Sequence, residues 1–211
     1  MPRYETPEYE GDSRPETQKH IDLVNENGKK FCDKFLERLT HHDASKLEAP
    51  EHKYFDKGTP NLEKSTYGEK SYEDAKDSIK EGLDHHYANN DHHPEHFGEQ
   101  GISGMNLYQL LEMWIDWTAA AKRHKDGNIF NSLMFNRGRF KMDDQLFNIL
   151  MNTASEDFPE QMDSANDEFQ KYLVEEMRKG GDEGSEVQQM LGKETLDAMH
   201  SVAETKEKKD N

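Results

Sequence analysis

The sequence predicts an all-α fold in which amphipathic helices form a bundle. Apolar residues recur at three- and four-residue steps in several segments of the 211-residue chain, and this is the periodicity of a helix with one buried face. The two-residue alternation that is typical of half-buried β-strands is essentially absent. Clusters of glycine, proline and asparagine separate the periodic segments and predict turns between the helices.

The chain opens with a polar segment that is followed by a long helical pattern. Residues 1–14 have almost nothing to bury, so we expect a flexible arm. A helix is expected from Pro15 to about Thr40, with a buried face made of Ile21, Val24, Gly28, Phe31, Phe35 and Leu39. Cys32 lies in this stretch and is expected to be a buried small hydrophobe.

The next segment is expected to be mostly irregular. Asp43 or Ser45 could cap a short helix toward Leu47, which Pro50 ends. Residues 50–70 show no periodicity, so we expect a long loop. Loops of this length in compact domains often serve as lids or substrate walls.

Helical patterns return and continue through the rest of the chain. A helix is expected from about Ser71 to Asn89-Asn90, and then a histidine-rich loop over residues 91–104. The strongest pattern begins after a cap at Asn106 or Ser103, and its buried face comprises Leu107, Leu110, Leu111, Trp114, Thr118 and Ala121. Shorter helices are expected at residues 128–135 and 143–154. We therefore expect a helical domain over residues 15–155 and an acidic helical C-terminal extension, with two amphipathic helices, over residues 156–211.

The charge of the chain narrows the classes of partner. Lysine and arginine number 27 and aspartate and glutamate 44, so the net charge is −17, which opposes binding to duplex nucleic acid. No apolar run predicts a membrane span or a signal peptide. A single cysteine makes no intramolecular disulfide, which suits a reducing compartment. We expect a cytoplasmic protein.

Histidines carry the chemistry of this sequence. Three pairs, at residues 41–42, 85–86 and 92–93, stand out, and eight of the eleven histidines lie between residues 41 and 96. Imidazole and carboxylate are ordinary ligands of catalytic transition metals. Antiparallel helices could bring the histidines at residues 20, 42, 86 and 93, Asp43 and Asp116 to one end of a bundle. The sequence thus predicts a metal site.

The surroundings of Asp116 support this prediction. Glu112, Asp116, Ala119, Ala120 and Arg123 fall on one helical stripe. A carboxylate beside two alanines and an arginine suits a metal ligand with room for a substrate phosphate. The alternative is a solvated, salt-bridged helix face.

These residues resemble the HD superfamily of metal-dependent phosphohydrolases. The motif of that superfamily is a histidine, a His-Asp dipeptide and a distant aspartate, which His20, His42-Asp43 and Asp116 match in order. The resemblance implies an HD-like helical bundle with those residues as metal ligands. The segment that runs from His42 through the His-His-Pro-Glu-His sequence to Trp117 also resembles a largely phage-encoded family of unknown function, over roughly residues 18–155.

Lys46 and the histidine loop extend the resemblance to the two-metal branch of the superfamily. His42-Asp43-x-x-Lys46 is similar to the variant motif of that branch, which adds histidine ligands before the final aspartate. His86 and His93 are our candidates for these ligands or for phosphate contacts. His85, His92 and His96 are expected to support the site or to face solvent, and His41 is expected to point away from His42.

The resemblance implies hydrolysis of a small phosphate ester, most plausibly a nucleotide, with one or two divalent ions of Mn, Fe, Co, Ni, Zn or Mg. Lys46 and Arg123 would neutralise the phosphoryl oxygens, and Glu95 or His93 would protonate the leaving oxygen. One alternative is a di-iron oxygenase of the HD type. Another is a non-catalytic phage protein that binds a host partner in the host cytoplasm, with the C-terminal helices forming a homodimer.

Overall fold

The computed structural model describes residues 11–62, 64–65, 70–123, 127–165 and 169–171. In these ranges all regular structure is helical, which confirms the predicted all-α bundle. The α-helices are α1 (Arg14–Thr40), α2 (Glu51–Leu62), α3 (Lys70–Asp77), α4 (Lys80–Asn89), α5 (Leu107–Arg123), α6 (Ile129–Phe140) and α7 (Asp144–Asp157). Two 3₁₀ segments lie between these helices, at Ala44–Leu47 and Pro94–Gly104, and a third, Pro159–Gln161, follows α7. Most of the predicted arm and the two helices predicted for the C-terminal extension lie outside the described residues.

The main hydrophobic core lies between α5, α6 and α7. Trp114 of α5, Phe130 and Leu133 of α6, and Phe147 and Met151 of α7 are all buried. Side-chain caps fix where two of these helices begin, because Asn128 Oδ1 accepts from the amide of Phe130 and Asp143 Oδ1 accepts from the amide of Leu146. This core holds α5 in place, and α5 carries two acidic residues of the candidate site.

A second layer is built from α2, α3 and α4. The predicted loop over residues 50–70 is wrong for its first part, because residues 51–62 form α2. Its inward face consists of Glu51, Tyr54, Phe55 and Gly58, which have helical spacing but include only two large apolar residues. A hydrophobic periodicity search therefore misses it. The single helix predicted from Ser71 is also wrong, since it breaks at residues 78–79 into α3 and α4.

The second layer packs closely because two glycines lie where helices meet. A Cβ atom at Gly58 would lie 2.6 Å from Ile79 Cγ2, and one at Gly82 would lie 2.5 Å from Tyr54 Cβ. Both distances are too short for carbon atoms in contact. The glycines therefore set the distance between α2 and α4, which carry Glu51 and His86 respectively.

Helix α1 lies at the surface of the bundle. It has no buried residue, and it meets α5 through Phe31, whose ring stacks on Tyr108 with 4.4 Å between centroids. Cys32 is exposed, so the prediction of a buried cysteine is wrong. Cys32 is adjacent to Phe31 on the helix and therefore points about 100° away from the face that contacts α5. Within the described ranges, no helix combines the length and apolarity that a bilayer crossing requires.

Gly82→Ala tests the close packing of α2 on α4. We expect a loss of about 1–3 kcal/mol in the free energy of unfolding, because the new methyl group collides with Tyr54 near its backbone. Gly138→Ala in α6 is the matched control, since a Cβ there meets nothing within 4 Å. That control should gain about 0.5–1 kcal/mol from helix propensity. Equal effects of the two substitutions in urea titrations would contradict the assignment.

Candidate metal centre

The predicted histidines and acids converge where the C-terminal end of α1 meets α4 and the middle of α5. Two groups of side chains have ligand atoms that all lie within 4.8 Å of one another. One group comprises Asp43, His86, His92 and His93, and the other comprises His42, His92 and Asp116. His92 belongs to both, so the groups form a single centre.

The turn after α1 directs two consecutive side chains into this centre. Neighbours on a helix point about 100° apart, and α1 ends at Thr40, before His42 and Asp43. Asp43 has φ 57° and ψ 13°, the left-handed conformation that aspartate tolerates better than most residues. His42 Nε2 consequently lies 3.5 Å from Asp43 Oδ2 and 3.6 Å from Asp116 Oδ1. His41 is exposed, as predicted.

The turn after α4 has the same effect on His92 and His93. Both follow the end of α4 at Asn89, and their ring centroids are 4.1 Å apart. His93 Nε2 lies 2.9 Å from His86 Nε2, while His86 Nε2 lies 3.1 Å from Asp43 Oδ1. On α4 itself the pair diverges, so His86 is buried and His85 remains 41% exposed.

Glu112 orients two of the imidazoles. Its Oε1 lies 3.0 Å from His42 Nδ1 and 3.3 Å from His92 Nδ1. A carboxylate can only accept, so these Nδ1 atoms carry hydrogens, and the Nε2 atom of each ring offers a lone pair whenever the ring is neutral. Its Oε2 accepts from Arg38 Nε at 2.9 Å. Burial raises the pKa of Glu112, but hydrogen bonds from His42 and Arg38 outweigh burial and hold that pKa below its usual value.

Glu51 plays the same part for His86. It is fully buried at the start of α2, and its Oε2 accepts from His86 Nδ1 at 2.8 Å and from the Ser45 hydroxyl at 2.9 Å. Its Oε1 lies 2.8 Å from His85 Nδ1. Glu51 therefore fixes the His86 ring with Nε2 directed at Asp43, an arrangement that is common among metal-bound histidines.

Two buried atoms at the centre of this arrangement show that the residues fit a cation. Asp43 Oδ1 and His92 Nε2 make no hydrogen bond within the described part of the chain. A buried polar atom without a partner costs about 1–3 kcal/mol, and coordination of a metal ion would satisfy both atoms. Imidazole and carboxylate together suit Mn, Fe, Co, Ni and Zn.

The pKa values of the centre reflect its excess of acid. Asp116 and Glu112 raise the pKa of His42 to about 10 by accepting its hydrogen bonds. Burial alone would raise the pKa of Asp43. The contacts with His86, His92 and Lys46 lower this pKa by a larger amount, so it lies well below its usual range. The pKa of His93 falls to about 2, because the ring is desolvated and because His92 and His86 lie beside it. His93 is therefore a neutral imidazole, which suits a ligand and not a proton donor.

The structure does not bring His20 to the centre, so its predicted role as a ligand is wrong. His20 is exposed on α1, which runs without interruption to Thr40. At about 1.5 Å per residue, the backbone of His20 lies roughly 30 Å from that of His42. Almost all of the 22 residues from His20 to His42 belong to one continuous helix, so the two side chains cannot reach the same site.

The residues predicted to assist catalysis lie at different distances from the centre. Lys46 Nζ lies 2.6 Å from Asp43 Oδ2. Glu95 lies outside both ligand groups and pairs with Arg139. Arg123 is exposed at the end of α5, two helical turns and about 10 Å beyond Asp116.

His92 is more central than the sequence predicted, and the orienting residues were not predicted. His92 is only 2% exposed and belongs to both ligand groups, although we expected it to support the site or to face solvent. Glu112 could have been recognised, because it lies one turn before Asp116 on the same face of α5. Glu51 and Arg38 carry no comparable signal, since each reaches the site through a tertiary contact.

Comparison with known proteins identifies the family but no activity. No curated protein and no solved structure matches the chain. Residues 10–156 match a family that is described as a family of unknown function, DUF5662. This match spans more than half of the 211 residues and includes every residue of the centre. The chain therefore belongs to the DUF5662 family of unknown function.

Proposed function

We propose that this protein binds one or two divalent transition-metal ions and hydrolyses a small phosphate ester, with a nucleotide as the leading substrate. One observation carries the proposal. The Nε2 atoms of His42, His86, His92 and His93 converge with the carboxylates of Asp43 and Asp116. Nδ1 atoms of three of these rings are held by the buried acids Glu112 and Glu51.

The two oxygens of Asp43 face the two ligand groups. Oδ1 lies beside His86 and His92, and Oδ2 lies beside His42. Asp43 would therefore contribute to both positions if two ions bind, with His86, His92 and His93 at one and with His42 and Asp116 at the other. The four histidines favour a transition metal over magnesium, which prefers oxygen ligands.

The charges of the surrounding residues also favour bound cations at this centre. Asp43, Glu51, Asp91, Glu112 and Asp116 supply five negative charges, whereas Arg38, Lys46 and, in the metal-free protein, the protonated His42 supply three positive charges. Without a cation the centre would repel a phosphate, because like charges at these distances destabilise each other strongly where solvent is excluded. Divalent ions would reverse this balance and allow an anionic substrate to bind.

Exposure indicates where a substrate would enter. His86 and His92 are almost completely buried, whereas the side chains of His42, Asp43 and Asp116 are 25%, 22% and 28% exposed. The substrate would therefore approach from the side of His42 and Asp116. The Lys46 side chain, whose Nζ contacts Asp43, is 32% exposed, so it is available to a phosphoryl oxygen on the same side.

Each part of the site then has a role in the reaction. When bound, a divalent ion lowers the pKa of a water molecule and polarises a phosphoryl oxygen. Lys46 neutralises negative charge on the phosphoryl group, and Arg123 would contact the more distant end of a longer substrate along α5. Glu112 and Glu51 hold the imidazoles so that little rearrangement is needed during turnover.

The same donor set also suits a pair of iron ions, so an oxygenase is the second candidate. Its supporting observation is that the carboxylate of Asp43 has one oxygen beside each ligand group. Iron content and oxygen consumption distinguish it from a hydrolase.

Metal content tests the centre itself. Protein that is incubated with Mn²⁺, Fe²⁺ or Zn²⁺ and then desalted should retain one or two ions per chain in elemental analysis. His92→Ala should lose most of this metal, because His92 belongs to both groups. Asp43→Asn should do the same, and asparagine tolerates the left-handed backbone. His20→Ala is the control and should retain the wild-type content; a metal-free wild type, or equal loss in this control, would refute the proposed centre.

Metal binding should release a proton. His42 has a pKa of about 10 in the metal-free protein, so it is protonated at pH 7.5 and must deprotonate before it can coordinate. The apparent affinity for Zn²⁺ should therefore rise with pH until pH approaches 10. Calorimetric titration in PIPES and in Tris should give different enthalpies, because the buffer takes up the proton. Identical enthalpies in the two buffers would contradict this assignment.

Phosphate release tests the reaction. Metal-loaded protein should release phosphate from at least one member of a panel of nucleoside mono-, di- and triphosphates, or cleave bis(p-nitrophenyl) phosphate. Lys46→Met should lower kcat/KM by about 10²–10³-fold with the metal content unchanged, as expected for loss of a group that stabilises transition-state charge. Full turnover by Asp43→Asn, or oxygen consumption without hydrolysis, would rule out the hydrolase.

A further inference from the structure

The N-terminal half of α1 exposes an apolar stripe that the proposed function does not use. Thr17, Ile21, Val24, Gly28, Phe31 and Phe35 recur at alternating steps of four and three residues, which is the spacing of a coiled-coil seam. Ile21 is 44% exposed and Val24 is 54% exposed. A continuous apolar stripe of this kind normally has a partner helix.

The C-terminal half of the same stripe already has its partner. Phe31 stacks on Tyr108 of α5, and Arg38, two turns further along, pairs with Glu112 of α5. The uncovered half is therefore continuous with an existing helix–helix interface. Among the described residues, nothing lies within 4 Å of a Cβ atom placed at Gly28, so this part of the chain leaves room there for the backbone of another helix.

The charges on α1 favour self-association. The chain has a net charge of −17, yet α1 carries six lysine and arginine residues against five acidic residues. The positions that flank the uncovered stripe are Gln18, His20, Asn25 and Asn27, none of which is acidic or permanently charged. Depletion of charge is typical of the centre of a protein–protein interface.

We infer that the uncovered stripe is a homodimer interface in which the α1 helices of two copies pack antiparallel. Because α5 already covers this face of α1 at Phe31, a parallel pair would bring both copies of α5 together from Phe31 onward. The antiparallel arrangement overlaps only the uncovered halves. Its two-fold axis lies between Ile21 and Val24, so Ile21 packs on Val24 of the partner subunit and Thr17 faces Gly28 of the partner subunit.

Solution mass tests the interface on the full chain. Wild-type protein should have about twice the 24.6 kDa mass of one chain by sedimentation equilibrium at micromolar concentration. Val24→Glu, alone and with Ile21→Glu, should give monomers, because a carboxylate at the seam loses its solvation. Leu23→Glu is the matched control: Leu23 is 41% exposed on α1 but lies off the stripe, so this variant should remain dimeric.

Folding and metal content show whether a variant acts only on the interface. Ile21 and Val24 contribute nothing to the buried core, so circular dichroism at fixed low concentration should match the wild type. Metal content should also be unchanged, because Ile21 and Val24 lie roughly 27 Å or more along the chain from His42. Failure of the dimer and failure of the metal centre are therefore separate results.

Cys32 supplies a test of orientation. It is the only cysteine in the chain, and it is exposed, so a nitroxide label can be attached without mutation. In the antiparallel pair the two Cys32 backbones lie roughly 30 Å apart along the helices, whereas a parallel pair would place them within about 15 Å. Double electron–electron resonance should give the longer distance, which belongs to the antiparallel pair.

Three results would overturn the inference. The first is a monomeric wild type at 100 μM; if hydrogen exchange then shows residues 17–28 to be protected, another segment of the same chain covers the stripe. The second is a dimer that Leu23→Glu disrupts and Val24→Glu does not. The third is a spin–spin distance near that of the parallel pair.

Discussion

The hydrogen bonds that Glu112 and Glu51 accept from histidine Nδ1 atoms are the interactions on which the centre depends. Each bond fixes the rotation of an imidazole ring and determines which nitrogen carries the hydrogen. The two acids arrive from opposite layers, since Glu112 lies on α5 and Glu51 begins α2. The centre therefore joins the layers, and the exclusion of solvent around both carboxylates makes these bonds stronger than they would be in water.

The two acids differ in how their charge is balanced. Arg38 contacts Glu112 and also Asp91, to which Gln109 donates at 2.6 Å. Glu51 instead receives hydrogen bonds from Ser45 and two histidines. The Nε2 atom of His86 should consequently be more electron-rich than the Nε2 atoms of His42 and His92, because no described arginine or lysine withdraws charge from Glu51.

The sequence contained enough information for the fold class and for most of the centre. Regular apolar spacing identified α1, α5, α6 and α7. The histidine pairs located His42, Asp43, His86 and His93, and the motif order located Asp116; the structure brings these residues together. Prediction from the sequence failed where the local residue pattern does not determine the tertiary structure. The inward face of α2 contains glutamate and glycine instead of aliphatic residues, and the importance of His92 depends on a turn that no periodicity encodes. His20 was misassigned because motif order does not reveal that one unbroken helix separates two residues.

The backbone conformation at Asp43 limits which side chains this position can accept. The left-handed region is most accessible to glycine, asparagine and aspartate, and among these only aspartate offers a charged carboxylate. Glutamate has the same functional group but a longer side chain, and it lacks the local hydrogen bonding that stabilises a positive φ. The position therefore requires both a side chain that tolerates a positive φ and a negative charge. Any substitution of Asp43 loses at least one of these properties.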